Sequence, residues 1–149
     1  MTEQAPEVVT LAVIPARGGS KRIPRKNIRP FLGVPMLART IALLRQAQVF
    51  DQIIVSTDDE EISRVAHAAG AAVPFVRPAE LSGDFAGTVP VIAHAISEMQ
   101  AGGVRPAYVA CVYPAAVLSR AADLRAAAQL LRDSGADYVF TATSFAFPI

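Results

Sequence analysis

Six basic side chains fall within thirteen residues of this sequence: Arg17, Lys21, Arg22, Arg25, Lys26 and Arg29. Gly18, Gly19, Ser20, Pro24 and Asn27 stand among them. Such a run is either a solvated face or a site for a compact polyanion. The adjacent glycines favour the second reading, because they let backbone amides approach a ligand, adopt positive φ and line a nest for oxyanions. Arg17 offers a planar fork for two phosphate oxygens, and Lys21 and Lys26 add point charges. Arg22 is expected to face solvent. Like charges this close repel one another, so the empty loop is expected to be mobile and to order around a polyanion. A well-ordered empty loop with its arginines paired to protein carboxylates would count against the site. The loop contains neither G-x-x-x-x-G-K-[ST] nor G-x-G-x-x-G, so the two commonest phosphate loops are excluded.

The loop needs elements to hold it. Residues 8–14 are a near-continuous, β-branched apolar run, as in a strand buried on both faces. Residues 36–48 carry Leu37, Ile41 and Leu44 at helical spacing, and 53–57 read as a second strand. A helix over 58–69 turns Ile62, Val65, Ala66 and Ala69 to one side, has acids in its first turn, and stops at Gly70. A third strand at 72–76 is followed by a helix over 88–100 with Val89, Ile92, Ala93 and Ile96 inward, ended by Gly102 and Gly103. A fourth strand at 108–112, a helix over 120–132 capped by Ser119 and a fifth strand at 138–141 complete the pattern. This alternation predicts an α/β fold: a three-layer sandwich around a mostly parallel, Rossmann-like sheet. In such sheets the first strand-to-helix turn commonly holds phosphate, which is where the basic loop lies.

Composition sets outer bounds. The 149 residues are 52% hydrophobic and 18% charged, as in one compact domain over 1–149. A net charge of +1 gives no general reason to bind nucleic acid, and no apolar run is long enough for a membrane helix. The acid-bearing N-terminus is unlike a signal peptide, and the single cysteine, Cys111, excludes an internal disulfide, so a cytoplasmic location is expected. The apolar ending Phe147-Pro148-Ile149 leads to the expectation that the domain is the first part of a longer enzyme.

The stretch Ala16-Arg-Gly-Gly-Ser-Lys-Arg-Ile-Pro-Arg-Lys-Asn27 resembles the signature of the acylneuraminate cytidylyltransferases, the CMP-sialic acid synthetases and their relatives. Gly33-Val-Pro-Met36, Val55-Ser-Thr-Asp-Asp-Glu-Glu-Ile62 and Arg77-Pro-Ala-Glu-Leu81, with Asp84 and Thr88 beyond, resemble the family in the same order. Val73-Pro-Phe-Val-Arg77, Cys111-Val-Tyr-Pro114 and Ser144-Phe-Ala-Phe-Pro-Ile149 look most like its pseudaminic acid branch. The resemblance implies a nucleotide-diphospho-sugar transferase fold and transfer of CMP from CTP to the anomeric hydroxyl of a nonulosonic acid. It places Arg17, Ser20, Lys21, Lys26 and Asn27, with the Gly18 and Gly19 backbone, around the phosphates and ribose, and Arg77, Ala86 and Thr88 near the cytosine and its sugar. Tyr113 is implied at the acceptor sugar. The resemblance further implies Mg²⁺ as cofactor with ligands beyond residue 149, no metal ligand within the chain, and a homodimer at full length.

Tyr113-Pro-Ala-Ala-Val117 departs from the Gln-Pro-Thr-Ser-Pro common in the family, which bears on acceptor binding more than on CTP. A nucleotide-binding module without turnover is the alternative. Of the remaining polar residues, His67 and His94 read as structural, Asp58 and Asp59 as helix N-terminal acids with Asp58 also a site candidate, and Cys111 as a small buried hydrophobe. Arg77 reads either as a ligand contact at a strand end or as a surface arginine.

Overall fold

The computed structural model describes residues 8–144. The chain runs β1 (Val8–Pro15), β2 (Pro30–Phe31), β3 (Val34–Pro35), α1 (Met36–Ala47), β4 (Gln52–Ser56), α2 (Glu60–Ala68), α3 (Thr88–Ala101), β5 (Arg105–Cys111) and α4 (Ala121–Ser134). Single 3-10 turns lie at Lys26–Ile28 and Ala79–Leu81. The main sheet is parallel, in the order β4-β1-β5.

Alternation along the central strand builds the three layers. Ala12 and Ile14 of β1, with Val55 of β4, meet Leu37, Ile41 and Leu44 of α1 and Ile62 and Ala66 of α2. Leu11 and Val13, with Ile54, face the other way onto Ala95 and Met99 of α3. A strand covered on both faces has no polar position to offer, which is why β1 reads as an unbroken apolar run. The expected α/β sandwich is what forms.

Several local expectations fail for identifiable reasons. The third strand shrinks to two isolated bridges, Ala72 beside Ile54 and Val76 beside Thr57. Pro74 lies between them and has no N–H for the ladder. The fifth strand does not form: residues 138–141 pair with nothing among the described residues, and Tyr138 and Phe140 are exposed. In α3 the buried face is Val91, Ala95 and Met99, while Val89 and Ala93 are exposed. The N-cap of α4 is Arg120, not Ser119, and its side chain pairs with Asp123 in the first turn instead of capping. Cys111 is exposed, because β5 borders the described sheet and α4 stands off it across a cleft of about 680 Å³ that the cysteine lines. The ending at 145–149 and the first seven residues lie outside the described residues.

The β2–β3 hairpin turns through Leu32 (φ 50°) and Gly33 (φ 79°), a two-residue reversal with both φ positive. Arg39 of α1 fastens it, donating to the Phe31 carbonyl at 2.7 Å and the Leu32 carbonyl at 2.9 Å. Among the described residues no helix is long and apolar enough to cross a membrane.

Candidate functional site

Strand order reverses at β1: α1 leads to β4 on one side, and α3 leads to β5 on the other. Ligands in open parallel sheets bind outside the carboxyl ends of the strands at such a point. A cleft of about 730 Å³ opens there. Arg17, Ser20, Lys21, Lys26 and Asn27 line it from the loop after β1, Arg77, Ala86 and Thr88 from the segment before and into α3, and Tyr113 from the end of β5. Residues read as one ligand set in the sequence thus share one cavity, although they span nearly a hundred positions. Thr40, fully buried in α1, donates to the Pro114 carbonyl at 2.9 Å and so fixes the far wall.

Gly18 and Gly19 do not line the cleft, and neither has a positive φ. The loop's left-handed residue is Arg25, at φ 55°. Gly18 is a glycine for a packing reason, since a Cβ there would lie 2.6 Å from Asp59 Oδ2 and 3.0 Å from Asp59 Cβ. Gly19 has open space around it.

The loop is pinned from outside. The Gly18 N–H donates to Asp58 Oδ1 at 3.0 Å, and buried Asn27 donates Nδ2 to the Arg17 carbonyl at 2.9 Å. Asp59 caps α2 through the Glu61 and Ile62 amides and also binds Arg25 at 2.6 Å. Glu61 closes on the same guanidinium. Arg25 is thereby committed to the scaffold. Arg17 reaches Asp84 at 2.8 Å, and Lys21 pairs with the same carboxylate. The expectation of an unneutralised loop therefore fails for three of the six bases, and the pairing of Arg17 and Arg25 with carboxylates counts against a loop left free until a polyanion arrives. Among the described residues Arg22, Lys26 and Arg29 form no salt bridge. Arg22, read as solvent-facing, is exposed and yet lines the cleft.

Arg25 holds the Asp59 carboxyl below the usual aspartate range, with burial opposing and the Ile62 and Glu61 amides assisting. A depressed carboxylate stabilises the fold above its unfolded pKa of about 3.9, and that stability is lost as pH falls through the lower folded value. Asp59→Ala, which removes cap and charge together, is expected to cost about 0.5–2 kcal/mol at pH 7. The gap from wild type should narrow as pH drops below the ordinary aspartate value. Urea unfolding at neutral pH and near pH 3 checks this, and a constant gap would mean the carboxylate's charge is not what matters.

Arg77 is only 4% exposed, which removes the surface reading. Its Nε donates to Ser56 Oγ at 3.0 Å and Nη2 donates to the Ser56 carbonyl. Burial draws its pKa down, Asp58 opposes this, and Arg17 adds to it.

Thr88 is the first residue of α3, not its cap, which is Gly87. Its hydroxyl lies 2.5 Å from the Tyr113 hydroxyl, joining the segment read as nucleotide-binding to the residue read as acceptor-binding. If the cleft takes CTP, as the resemblance implies, Thr88→Val should weaken it by about 1 kcal/mol, the usual size of one hydrogen bond. If that loss comes from a direct ligand contact, it persists in a Tyr113→Phe background in calorimetric titration. If it disappears there, Thr88 acts only by positioning Tyr113.

Sequence reasoning missed the structural use of Asp84, for which a lone acid in Ser-Gly-Asp-Phe gives no spacing signal. His67 is exposed beside Ser63, while His94 packs edge-on to Phe75 at 5.1 Å. Among the described residues no group of three or more His, Cys, Asp or Glu is placed to hold a metal ion.

Over 139 residues the chain is 42% identical to the pseudaminic acid cytidylyltransferase of Campylobacter jejuni, covering 93% of this chain and 60% of that protein. It is 34% identical over 129 residues to the CMP-N,N'-diacetyllegionaminic acid synthase of Legionella pneumophila, covering 87% and 56%. The chain therefore spans somewhat more than half the length of these relatives. Among solved structures, a CMP:2-keto-3-deoxy-manno-octonic acid synthetase complexed with CTP superposes with a TM-score of 0.71 at 23% identity, over 85% of this chain and 49% of that one, and so shares the fold. The cytidylyltransferase family pattern matches residues 11–146, from β1 across the whole cleft, and the chain belongs to that family.

Proposed function

We propose that the cleft binds CTP and that the whole protein transfers CMP from it to the anomeric hydroxyl of a nonulosonic acid, releasing pyrophosphate. The observation that carries this reading is the convergence of Arg17, Lys21, Lys26 and Arg77 on one cleft at the sheet's switch point. The sugar hydroxyl attacks the α-phosphorus and gives up its proton to solvent, while the bond from that phosphorus to the oxygen bridging the β-phosphate breaks and pyrophosphate departs with its charge. Catalysis of this kind rests on positioning and on charge stabilisation of the leaving group. Arg17, Lys21 and Lys26 supply that charge, and Ser20 and Asn27 shape the loop around the phosphates. Arg77, Ala86 and Thr88 leave room for a pyrimidine, and Tyr113 faces the acceptor. The relatives' names point to pseudaminic, legionaminic or neuraminic acid as the sugar class.

The described residues do not make a magnesium site by themselves: among them the cleft's lining holds one carboxylate, Asp84, and no cluster of three ligands forms. The magnesium ligands that the resemblance implies are expected beyond residue 149, in a longer, homodimeric cytoplasmic enzyme. The test is CMP-sugar formation by the full-length protein from CTP, Mg²⁺ and a panel of nonulosonic acids, with ATP as competitor. CTP binding without pyrophosphate release would favour a nucleotide-binding module. Equal affinity for ATP would sink the cytosine assignment.

A further inference from the structure

Among the described residues Asp84 is the one acid that lines the cleft, and its partners are the two cations assigned to the leaving pyrophosphate. Oδ1 accepts from Arg17 Nη1 at 2.8 Å, and Oδ2 takes Lys21 Nζ. The same Arg17 nitrogen reaches the Ser82 carbonyl only at 3.5 Å, so the carboxylate is its principal partner. Two oxygens on one carbon, each held by a different cation, reproduce the way a phosphate group would be gripped at that point. The segment that carries Asp84 lies at the surface, with room around it. A Cβ on Gly83 would meet nothing within 4 Å, Phe85 is fully exposed, and the Asp84 side chain is itself 32% exposed.

We propose that Asp84 is a built-in placeholder for the triphosphate: it holds Arg17 and Lys21 aimed at one point in the empty cleft, and gives them up when the nucleotide's β,γ-phosphates arrive. The inference rests on the CTP reading and adds to it an exchange of counter-ions. One carboxylate charge shared by two cations competes poorly with a diphosphate group, but competes well with a singly charged anion, so the cleft sorts ligands by charge. The same exchange run backwards assists product release, because the returning carboxylate displaces pyrophosphate from Arg17 and Lys21. Asp84 is thus a positioning and specificity residue rather than a catalytic one.

The test uses the full-length protein and titrates wild type, Asp84→Asn and Asp84→Ala with inorganic pyrophosphate, CTP and cytidine. Removing two partly exposed ion pairs that compete with the ligand should tighten pyrophosphate and CTP by about three- to tenfold. Cytidine affinity should not change. Pyrophosphate should become a correspondingly stronger inhibitor of turnover, which a merely structural aspartate would not produce. Unchanged or weaker pyrophosphate binding in both variants, with wild type binding CTP normally, overturns the placeholder alone. Tightening of cytidine to the same degree overturns it too, since the effect would not lie at the phosphates. A wild-type cleft that takes neither CTP nor pyrophosphate overturns both this inference and the CTP reading.

Discussion

Arg17→Lys is expected to lower turnover of the full-length enzyme by about tenfold to somewhat over a hundredfold, with a much smaller loss of CTP affinity. The substitution keeps the charge and discards the fork, so it is not conservative where two oxygens must be held together. Arg17 is well placed for that role. Its carbonyl is tied by Asn27, its amide neighbour Gly18 by Asp58, and its guanidinium points into the cleft toward Asp84. Charge on departing pyrophosphate grows toward the transition state, so a contact there raises turnover more than binding. One charged hydrogen bond contributes about 1.5–3 kcal/mol, which sets the range quoted. The comparison is Arg29→Lys, an exposed base outside the cleft, expected to change turnover by less than about threefold. Both are assayed at saturating CTP and matched ionic strength, because salt screening would imitate the difference. Equal losses would mean that the loop acts as a diffuse positive patch.

Arg77→Met should separate affinity from stability. A buried guanidinium without a carboxylate partner is costly to keep, and among the described residues Arg77 forms no salt bridge. Methionine relieves that cost while leaving Ser56 Oγ without its donor. The Ser56 carbonyl retains the Ala16 amide at 2.9 Å. The two effects oppose, so the unfolding midpoint should move by only about 2–4 °C, equivalent to roughly 1 kcal/mol at this size. CTP affinity should fall by about tenfold to a hundredfold, the loss of one charged contact at about 1.5–3 kcal/mol. Calorimetry and thermal unfolding measure the two separately. A large drop in the midpoint with unchanged CTP binding would make Arg77 a strut for Ser56 and no ligand contact.

The parts of the site that were legible in the sequence share one property: local order already displays them. Six bases among glycines at the end of an apolar strand mark a candidate anion site wherever the rest of the chain goes. The motif likeness then supplied Arg77, Ala86, Thr88 and Tyr113, and the fold brings all four to the same cleft. What was not legible depends on contacts across the chain. Asp84 meets Arg17 over 67 positions, and Asp59 meets Arg25 over 34, so neither neutralisation has a local sign. Arg22 shows the same limit, since exposure and lining a cleft are compatible only at a cleft's mouth. The face of α3 was misphased because Val89, Val91, Ile92, Ala93, Ala95 and Ile96 surround most of the helix, leaving the period weak. The strand at 72–76 was overcounted by weighing its apolar residues above the missing donor at Pro74.

That missing donor has a bearing on how the protein keeps to itself. Among the described residues the margin of the sheet beyond β4 is bridged at Ala72 and Val76, with the proline between them. A continuous row of free amides and carbonyls is a template on which another chain can lay a strand, and natural proteins blunt such rows with proline. Here the segment around the proline follows β4 at Ala72 and Val76 without becoming a strand, so the margin it offers is short and irregular. An irregular segment that spoils a regular ladder therefore also shortens the edge that another strand could extend on that side.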